Sequence, residues 1–594
     1  MSQKDSLGSG TLLHPLAHGI ACTALCMMPV GYFYGVGIIF HWLFLAQAAS
    51  VIAAAGLSSL YLARCAYRSL WSTPFLLVCF ALLIAGGGLE FIYAMSSKQI
   101  YAGDLFTAQF WNHEGRIHYA NLSWHVPSYY PSLFRASLVE AVRILPWWTI
   151  GLYQLLLGLI AAGLLSYTVY KETNSPETAV LSALFLLSLP LAISNASVSF
   201  GLAGIMLFFV LFLSHGLNWA HGRGGFFTIT AAGLALGYLA QSHYAGIMLV
   251  PVSIFLLFFV SISIDRTFSG AFIACFWLSI LTALLVLPVL MVNLIFIGNP
   301  VYPLARNYFG GSFFDGPIQF DPILRSAQLA HSASTFHITE WKQALRLPVL
   351  LRFACIVLSA GLSFFCLLRF RWLVVVLLSL GIYSALVVHY FPPSFAYFVP
   401  VAPLICILAS IAMVHVSKLI LKDNWLLATS VILGLQVAIF AFTVSSSVAT
   451  DDALKITNNL LRANEPPQAV GSLGSLVAFV NEDKSVKKLF LVCMPNSLAL
   501  YQKPIISIDS QDSKRFAEFI RSAGNEHEIY WDLRRKYGVS HVAVQANCMQ
   551  NTVTTMLPSK GKKRFAAFAK RYLVNVYSND SYDVFRLEDT SGTS

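Results

Sequence analysis

Charge is what this sequence has least of. Lys, Arg, Asp and Glu together make up 11% of 594 residues, against 57% hydrophobic residues and a mean hydropathy of +0.68. A soluble globular chain carries about 25% charged residues, which excludes water as the solvent for most of this length and leaves lipid. Other frameworks are missing too. The ten cysteines are scattered, and no four His or Cys together have the spacing of a structural zinc site. There is no Gly-x-x-x-x-Gly-Lys-Ser/Thr phosphate loop and no internal repeat of the kind frequent in transporters. A cleavable leader is not evident, because the first apolar segment is long and lacks a small-residue cleavage site; it reads as a signal anchor.

What is present is a nearly continuous series of apolar runs from Ile20 to Phe442, then an abrupt change after Ala449. Crossing a bilayer takes about 20 apolar residues. Spans of that kind fit 17–38, 40–62, 74–96, 147–169, 177–195, 199–214 and 226–241. They continue at 244–264, 270–295, 349–368, 372–390, 397–416 and 425–446. The chain is therefore expected to be a polytopic α-helical membrane protein of about thirteen transmembrane helices. Lys and Arg favour cytoplasmic loops. With the N-terminus inside, the inner connections hold Lys4, Arg64, Arg68, Lys171, Arg223, Arg266, Arg369, Arg371, Lys418 and Lys422. The same bias accounts for the formal charge of +11, so no nucleic-acid partner is expected.

This topology places every long non-spanning segment outside: 97–146, 297–348 and the tail 450–594. No inner loop exceeds about fifteen residues, which leaves no room for a nucleotide-binding domain there. No nucleotide is expected, and an activated substrate would arrive in the membrane attached to lipid. The expected organisation is 1–73 as extra N-terminal helices, 74–449 as the main transmembrane domain and 450–594 as an extracytoplasmic domain.

The first outer loop carries candidate chemistry. It runs through Asp104, Trp111, His113, Glu114, Arg116, Tyr129, Tyr130 and Arg135. A carboxylate can accept a hydroxyl proton, aromatic faces stack on sugar C–H surfaces, and Arg offers a planar fork to phosphate. An interfacial loop with Trp and Tyr at headgroup level has the same composition. Glu90 lies within the third span, where an acid is costly and usually functional; it lines the same cavity or caps a helix contact. His243 sits at an outer turn, where a lone His is either a hydrogen-bonded interface residue or a ligand. The second outer loop opens with Gly298-Asn-Pro-Val-Tyr302-Pro303 and continues to Arg306; its Gly and Pro content predicts a turned, non-helical exit from the membrane. A divalent metal held by Asp104 is an open possibility. Asn-x-Ser sequons at Asn121, Asn195 and Asn579 are too short to decide anything.

The tail alternates probable strands at 488–493, 504–508, 540–545, 572–577 and 583–588 with helical patterns at 451–463, 511–522, 527–537 and 562–570, an α/β module. Cys493 and Cys548 each follow a probable strand, and an oxidising compartment would permit a disulfide if those strands were parallel neighbours.

Several segments together resemble the bacterial branch of the GT-C superfamily of membrane glycosyltransferases, of the protein mannosyltransferase and aminoarabinose transferase types. They are Asp104 just after a span, Glu114-Gly-Arg-Ile117, Tyr130-Pro-Ser-Leu133, Gly233 to Gly246, Gly298 to Pro303, Lys536 to Val544 and Tyr582 to Leu587. The chain departs from the pattern at Ala108-Gln109, where relatives often have Tyr-His. It departs again near Ser199 to Gly201, where a second acid is usual, at His243, where Lys is common, and at Ala396-Tyr397, where an Arg commonly precedes the Tyr. The resemblance implies a GT-C-like fold and an inverting transfer of sugar from a polyprenyl-phosphate donor to a glycan, lipid or protein acceptor. In that scheme Asp104 is the base or metal holder, Arg116, Arg135, His243 and Arg306 bind the donor phosphate, and Glu90, Trp111, His113, Glu114, Tyr129, Tyr130 and Tyr302 line the cavity. The expected location is a bacterial inner membrane. A non-catalytic scaffold binding lipid-linked glycan, or a transporter of lipid-linked sugars, are the alternative readings.

Overall fold

The computed structural model describes residues 37–70, 147–188, 200–264, 266–301, 372–390, 395–421, 472–492, 501, 503–508, 519–545 and 557–588. The chain divides into two compact units. The first is helical: α1 (Gly37–Leu70), α2 (Trp147–Thr173), α3 (Pro176–Ser188), α4 (Phe200–Ala220), α5 (Phe226–Ser242), α6 (Tyr244–Ser263), α7 (Phe268–Ile297), α8 (Trp372–Tyr390), and a 3-10 turn Phe395–Val401 leading into α9 (Ala402–Leu421); α7 belongs to it through Leu290.

Local chemistry sets the boundaries of these helices. Between α2 and α3, Asn174 takes a left-handed backbone with φ 51°, a conformation Asn tolerates better than most residues. Ser175 then caps α3 by accepting the Thr178 N–H at 3.2 Å, Pro176 fills the first helical position, and Glu177 sits in the first turn; each residue is the type a helix start favours. Gly222, with φ 75°, makes the turn between α4 and α5.

Small residues let the helices approach. An added Cβ at Gly233 would meet Leu281 Cδ1 at 2.7 Å, and one at Gly237 would meet Leu285 Cβ at 2.9 Å, so the Gly-x-x-x-Gly face of α5 is filled by α7. Gln241 Nε2 extends this seam by donating to the Leu285 carbonyl at 2.6 Å. Phe208 of α4 stacks on Tyr238 of α5 with centroids 5.4 Å apart, and Phe185, Phe208, Phe209, Phe212 and Tyr383 are fully buried.

Among the described residues, three helical stretches are long and apolar enough to cross a membrane: Ala245–Ser263, Phe268–Ile295 and Phe398–Val416. They occupy different positions, since 89% of the last is buried inside the protein but only 29% of the second. On α7 the exposed residues Phe272, Phe276, Leu284, Leu287, Met291 and Ile295 recur at helical spacing along one side. A continuous apolar stripe of that length suits lipid chains, not water.

Helix α8 coincides with the expected span 372–390, and α4 is longer than the expected 199–214. The expected spans 74–96, 349–368 and 425–446, and all but the end of 17–38, lie outside the described residues.

The second unit contains a five-stranded sheet of order β2-β1-β3-β5-β4, built from β1 (Leu489–Val492), β2 (Ile505–Ile508), β3 (His541–Gln545), β4 (Leu573–Ser578) and β5 (Tyr582–Leu587). Strand β1 runs parallel to both β2 and β3, and β5 runs antiparallel to both β3 and β4. Strand β1 is buried along its whole length, and so is β3 up to its last residue, as a strand covered on both faces requires. All five strands lie within a residue of their expected positions.

Among the described residues, the helices that accompany the sheet include α10 (Ser472–Glu482), α11 (Glu526–Trp531), which continues as a π-helical turn Asp532–Lys536, and α12 (Ser559–Tyr572). Asn525 starts α11 by accepting the Glu528 N–H at 2.9 Å, while the Glu528 carboxylate reaches back to the Gly524 N–H at 2.6 Å, a reciprocal cap. Tyr530 stacks on Tyr572 at 4.5 Å, joining α11 to α12. Sequence reading placed no helix at 472–482, although Leu473, Leu476, Val477 and Val480 are buried at helical spacing.

Candidate functional site

Of the residues assigned to a site from the sequence, only His243 lies among those described. Glu90, Asp104, Trp111, His113, Glu114, Arg116, Tyr129, Tyr130, Arg135, Tyr302 and Arg306 lie outside them, as do Cys493 and Cys548. The premise for pairing the two cysteines can be examined: β1 and β3 are parallel neighbours, with Val492 opposite Val544.

His243 forms the break between α5 and α6. Its backbone is extended, with φ −171° and ψ 159°, which ends α5 and lets its side chain cap α6. The ring Nδ1 accepts the Ala245 N–H at 3.1 Å. A neutral ring that accepts at Nδ1 carries its hydrogen on Nε2. The junction is tight: Gly246 packs against the backbone of Leu239, where any Cβ would overlap the carbonyl oxygen and come within 2.8 Å of its carbon. His243 is thus a capping residue held by local backbone geometry.

Helix α7, tied to α5 by the Gln241 contact, runs on past Leu290 and stops at Gly298, whose φ of 78° is left-handed. Buried Asn299 accepts the Val301 N–H at 3.1 Å, and Asn293 Nδ2 donates to the Pro300 carbonyl at 3.3 Å. The expected non-helical exit is therefore a built turn. Two asparagines satisfy backbone groups that Gly298 and Pro300 leave without helical partners.

A second polar centre gathers at the opposite ends of these helices. The Glu172 carboxylate, 3% exposed, meets Arg223 at 3.0 Å and His221 at 3.1 Å. Arg223 also donates to the Lys171 carbonyl at 3.3 Å. Arg266 donates to the Trp219 carbonyl at 2.8 Å and the Ala220 carbonyl at 3.0 Å, and its guanidinium lies 5.3 Å from the centre of the Trp219 ring. Lys418 lies 4.0 Å from Glu177. Lys171, Arg223, Arg266 and Lys418, which the sequence assigned to one side of the membrane, thus share one end of the helical unit.

Burial pushes the Glu172 carboxyl from 4.5 up to about 7, against the opposing pull of Arg223 and Lys171. His221 is lowered, chiefly by burial and further by the two arginines, while its bond to the Leu217 carbonyl pulls the other way. Sequence reading used the basic residues of this centre as topology markers and passed over Glu172, although an acid next to Lys171 in the last turn of a helix was the available signal.

In the sheet unit, Ser540 and His541 invite comparison with a nucleophile and base. Ser540 Oγ accepts the Lys487 and Lys488 N–H groups at 2.9 and 3.0 Å and donates to the Lys488 carbonyl at 3.0 Å. One hydrogen and two lone pairs are all a hydroxyl has, so these main-chain bonds, which tie β1 to β3, compete for it with His541 Nδ1, 3.0 Å from the Oγ. Burial lowers His541 below the ordinary imidazole range, which suits a neutral structural ring. Among the described residues no group of His, Cys, Asp and Glu side chains is arranged to hold a metal ion.

Neither a scan against protein-family models nor a search of curated proteins finds a match to this chain.

Proposed function

We propose that the chain is a GT-C-type membrane glycosyltransferase with about thirteen transmembrane helices. On this reading it takes a sugar from a polyprenyl-phosphate donor and passes it to an envelope glycan, lipid or protein acceptor. The reaction takes place at the outer face of a bacterial inner membrane, where the sheet unit also lies, and the N-terminus is cytoplasmic. The observation that carries this reading is the segment Gly298 to Pro303 at the end of a helix long enough to cross a membrane. It stands in one chain with Asp104, Glu114-Gly-Arg-Ile117 and Tyr130-Pro-Ser-Leu133.

Asp104 takes the acceptor hydroxyl proton as general base, or would hold a divalent metal near that hydroxyl. The freed oxygen attacks the anomeric carbon, and the bond to the polyprenyl phosphate breaks with inversion. Stabilising the departing phosphate is an electrostatic task assigned to Arg116, Arg135 and Arg306, with His243 as a neutral donor. Glu90, Trp111, His113, Glu114, Tyr129, Tyr130 and Tyr302 line the cavity.

A second reading, a non-catalytic scaffold that binds lipid-linked glycan, is favoured by His243. That ring is engaged as a helix cap at a position where the family commonly has a Lys. Release of radiolabelled sugar from a panel of polyprenyl-phosphate sugars, with purified full-length protein and membrane extract as acceptor, separates the two. Turnover that disappears in Asp104→Asn is the expected result. Binding without turnover across the panel selects the scaffold, and full activity in Asp104→Asn removes the role given to that residue.

A further inference from the structure

Helix α12 reads Ser-Lys-Gly-Lys-Lys-Arg-Phe-Ala-Ala-Phe-Ala-Lys-Arg-Tyr and contains six cations and no acid. The two arginines engage protein groups. Arg564 Nη1 donates to the Ile520 and Arg521 carbonyls at 2.8 and 3.0 Å, and Arg571 lies 4.0 Å from Glu526. The apolar side faces inward, with Phe568 and Tyr572 buried.

What remains outside is a face of four exposed lysines, Lys560, Lys562, Lys563 and Lys570, with exposed Ala566 and Ala567 among them. None of the four pairs with an acid among the described residues. Lys563 and Lys570 stand seven residues apart and so lie on one stripe, while the small alanines keep the surface between them low. We propose that this face docks on the anionic headgroups of the lipid bilayer in which the same chain is embedded.

Three features of the molecule select that partner. The lysines complement headgroup phosphate and carry no compensating acids on their own helix. The chain has helices long enough to cross a membrane, so lipid headgroups are always within tether range and act at high effective concentration. The aromatic side chains of α12 are turned toward the protein, which withholds the stacking platform that single-stranded nucleic acid uses. Because no apolar wedge points outward, the contact is a surface one. It is electrostatic and therefore weakened by salt.

The test uses full-length protein in nanodiscs of phosphatidylcholine alone, or of phosphatidylcholine and phosphatidylglycerol in equal parts. Amine-reactive footprinting is read lysine by lysine by mass spectrometry. In the anionic discs the four α12 lysines are expected to react at least about threefold more slowly at about 0.1 M salt, and to recover at about 0.5 M. Lys484 and Lys487, exposed in the same unit, serve as references whose rates stay the same. Equal reactivity in both discs overturns the proposal, as does slowing that is the same without anionic lipid, slowing of all lysines alike, or protection that appears only on adding a nucleic acid. The experiment reads no sugar transfer, so its outcome is independent of the glycosyltransferase reading.

Discussion

Replacing Gly246 by Ala adds one methyl group where α6 begins. The new carbon would overlap the Leu239 carbonyl oxygen, lie 2.8 Å from the Leu239 carbonyl carbon and 3.4 Å from Ala240 Cα. Comfortable carbon–carbon contact is about 3.5–4.0 Å, so the α6 start must move by roughly 1 Å. No rotamer relieves the overlap, because the obstacle is main chain. Overpacking costs about 1–3 kcal/mol, and a backbone obstacle puts this site at the upper end. The same substitution at Gly158 in α2 or Gly381 in α8 meets nothing within 4 Å, and there Ala gains roughly 0.5–1 kcal/mol over Gly in a helix. The two classes should therefore differ by about 4 kcal/mol in total. Thermal unfolding of the detergent-purified full-length variants, followed by loss of helical circular dichroism, measures the difference. Gly246→Ala unfolding at the same temperature as Gly158→Ala would refute the packing argument at the junction that positions His243.

Two further expectations concern single side chains. Glu172 has a folded value of about 7 against an ordinary 4.5, so the folded state holds a proton that the unfolded state releases across that window. Its contribution is complete below pH 4.5 and is lost as pH rises to 7, about 3 kcal/mol in all. Glu172→Gln should flatten this part of the pH–stability profile relative to the parent chain, with the opposite contribution of His221 left in place; an unchanged profile would contradict the assignment. His243→Ala removes the cap on α6 and should cost about 1 kcal/mol, whereas His243→Asn, which can still accept at the cap, should recover most of it in the same unfolding assay.

Legibility in the sequence followed the strength of the local signal. Strands β1 and β3 were readable because Leu489-Phe-Leu-Val and His541-Val-Ala-Val are short β-branched and aromatic runs between polar turns. The exit at Gly298 was readable because Gly and Pro punctuate the backbone wherever they fall. Helix α10 was missed because Gly474 interrupts a short segment whose Phe479 stacks on Tyr577 of β4, far along the chain. The Glu172 centre was passed over for a related reason: its partners are 49 and 51 residues away, and the local signal, an acid beside Lys171 at a helix end, does not name them. For His243 the sequence offered two roles, and the capping bond is decided by backbone angles that no motif records. The remaining site residues rest on resemblance, since Asp104 and its neighbours lie outside the described segments.

The Arg266 clamp has a consequence for how such a chain is made. At the end of α4 the Trp219 carbonyl accepts the Gly222 N–H at 2.9 Å, while the donor that reaches the Ala220 carbonyl comes 46 residues on. A growing chain that has delivered α4 and α5 must still bring out all of α6 before that end closes. Until then the Ala220 carbonyl has to stay in contact with water or headgroups. The order of synthesis thus leaves this corner of the bundle open until Arg266 emerges, and the arginine that closes it also fixes the return of α6 to the same side as the end of α4.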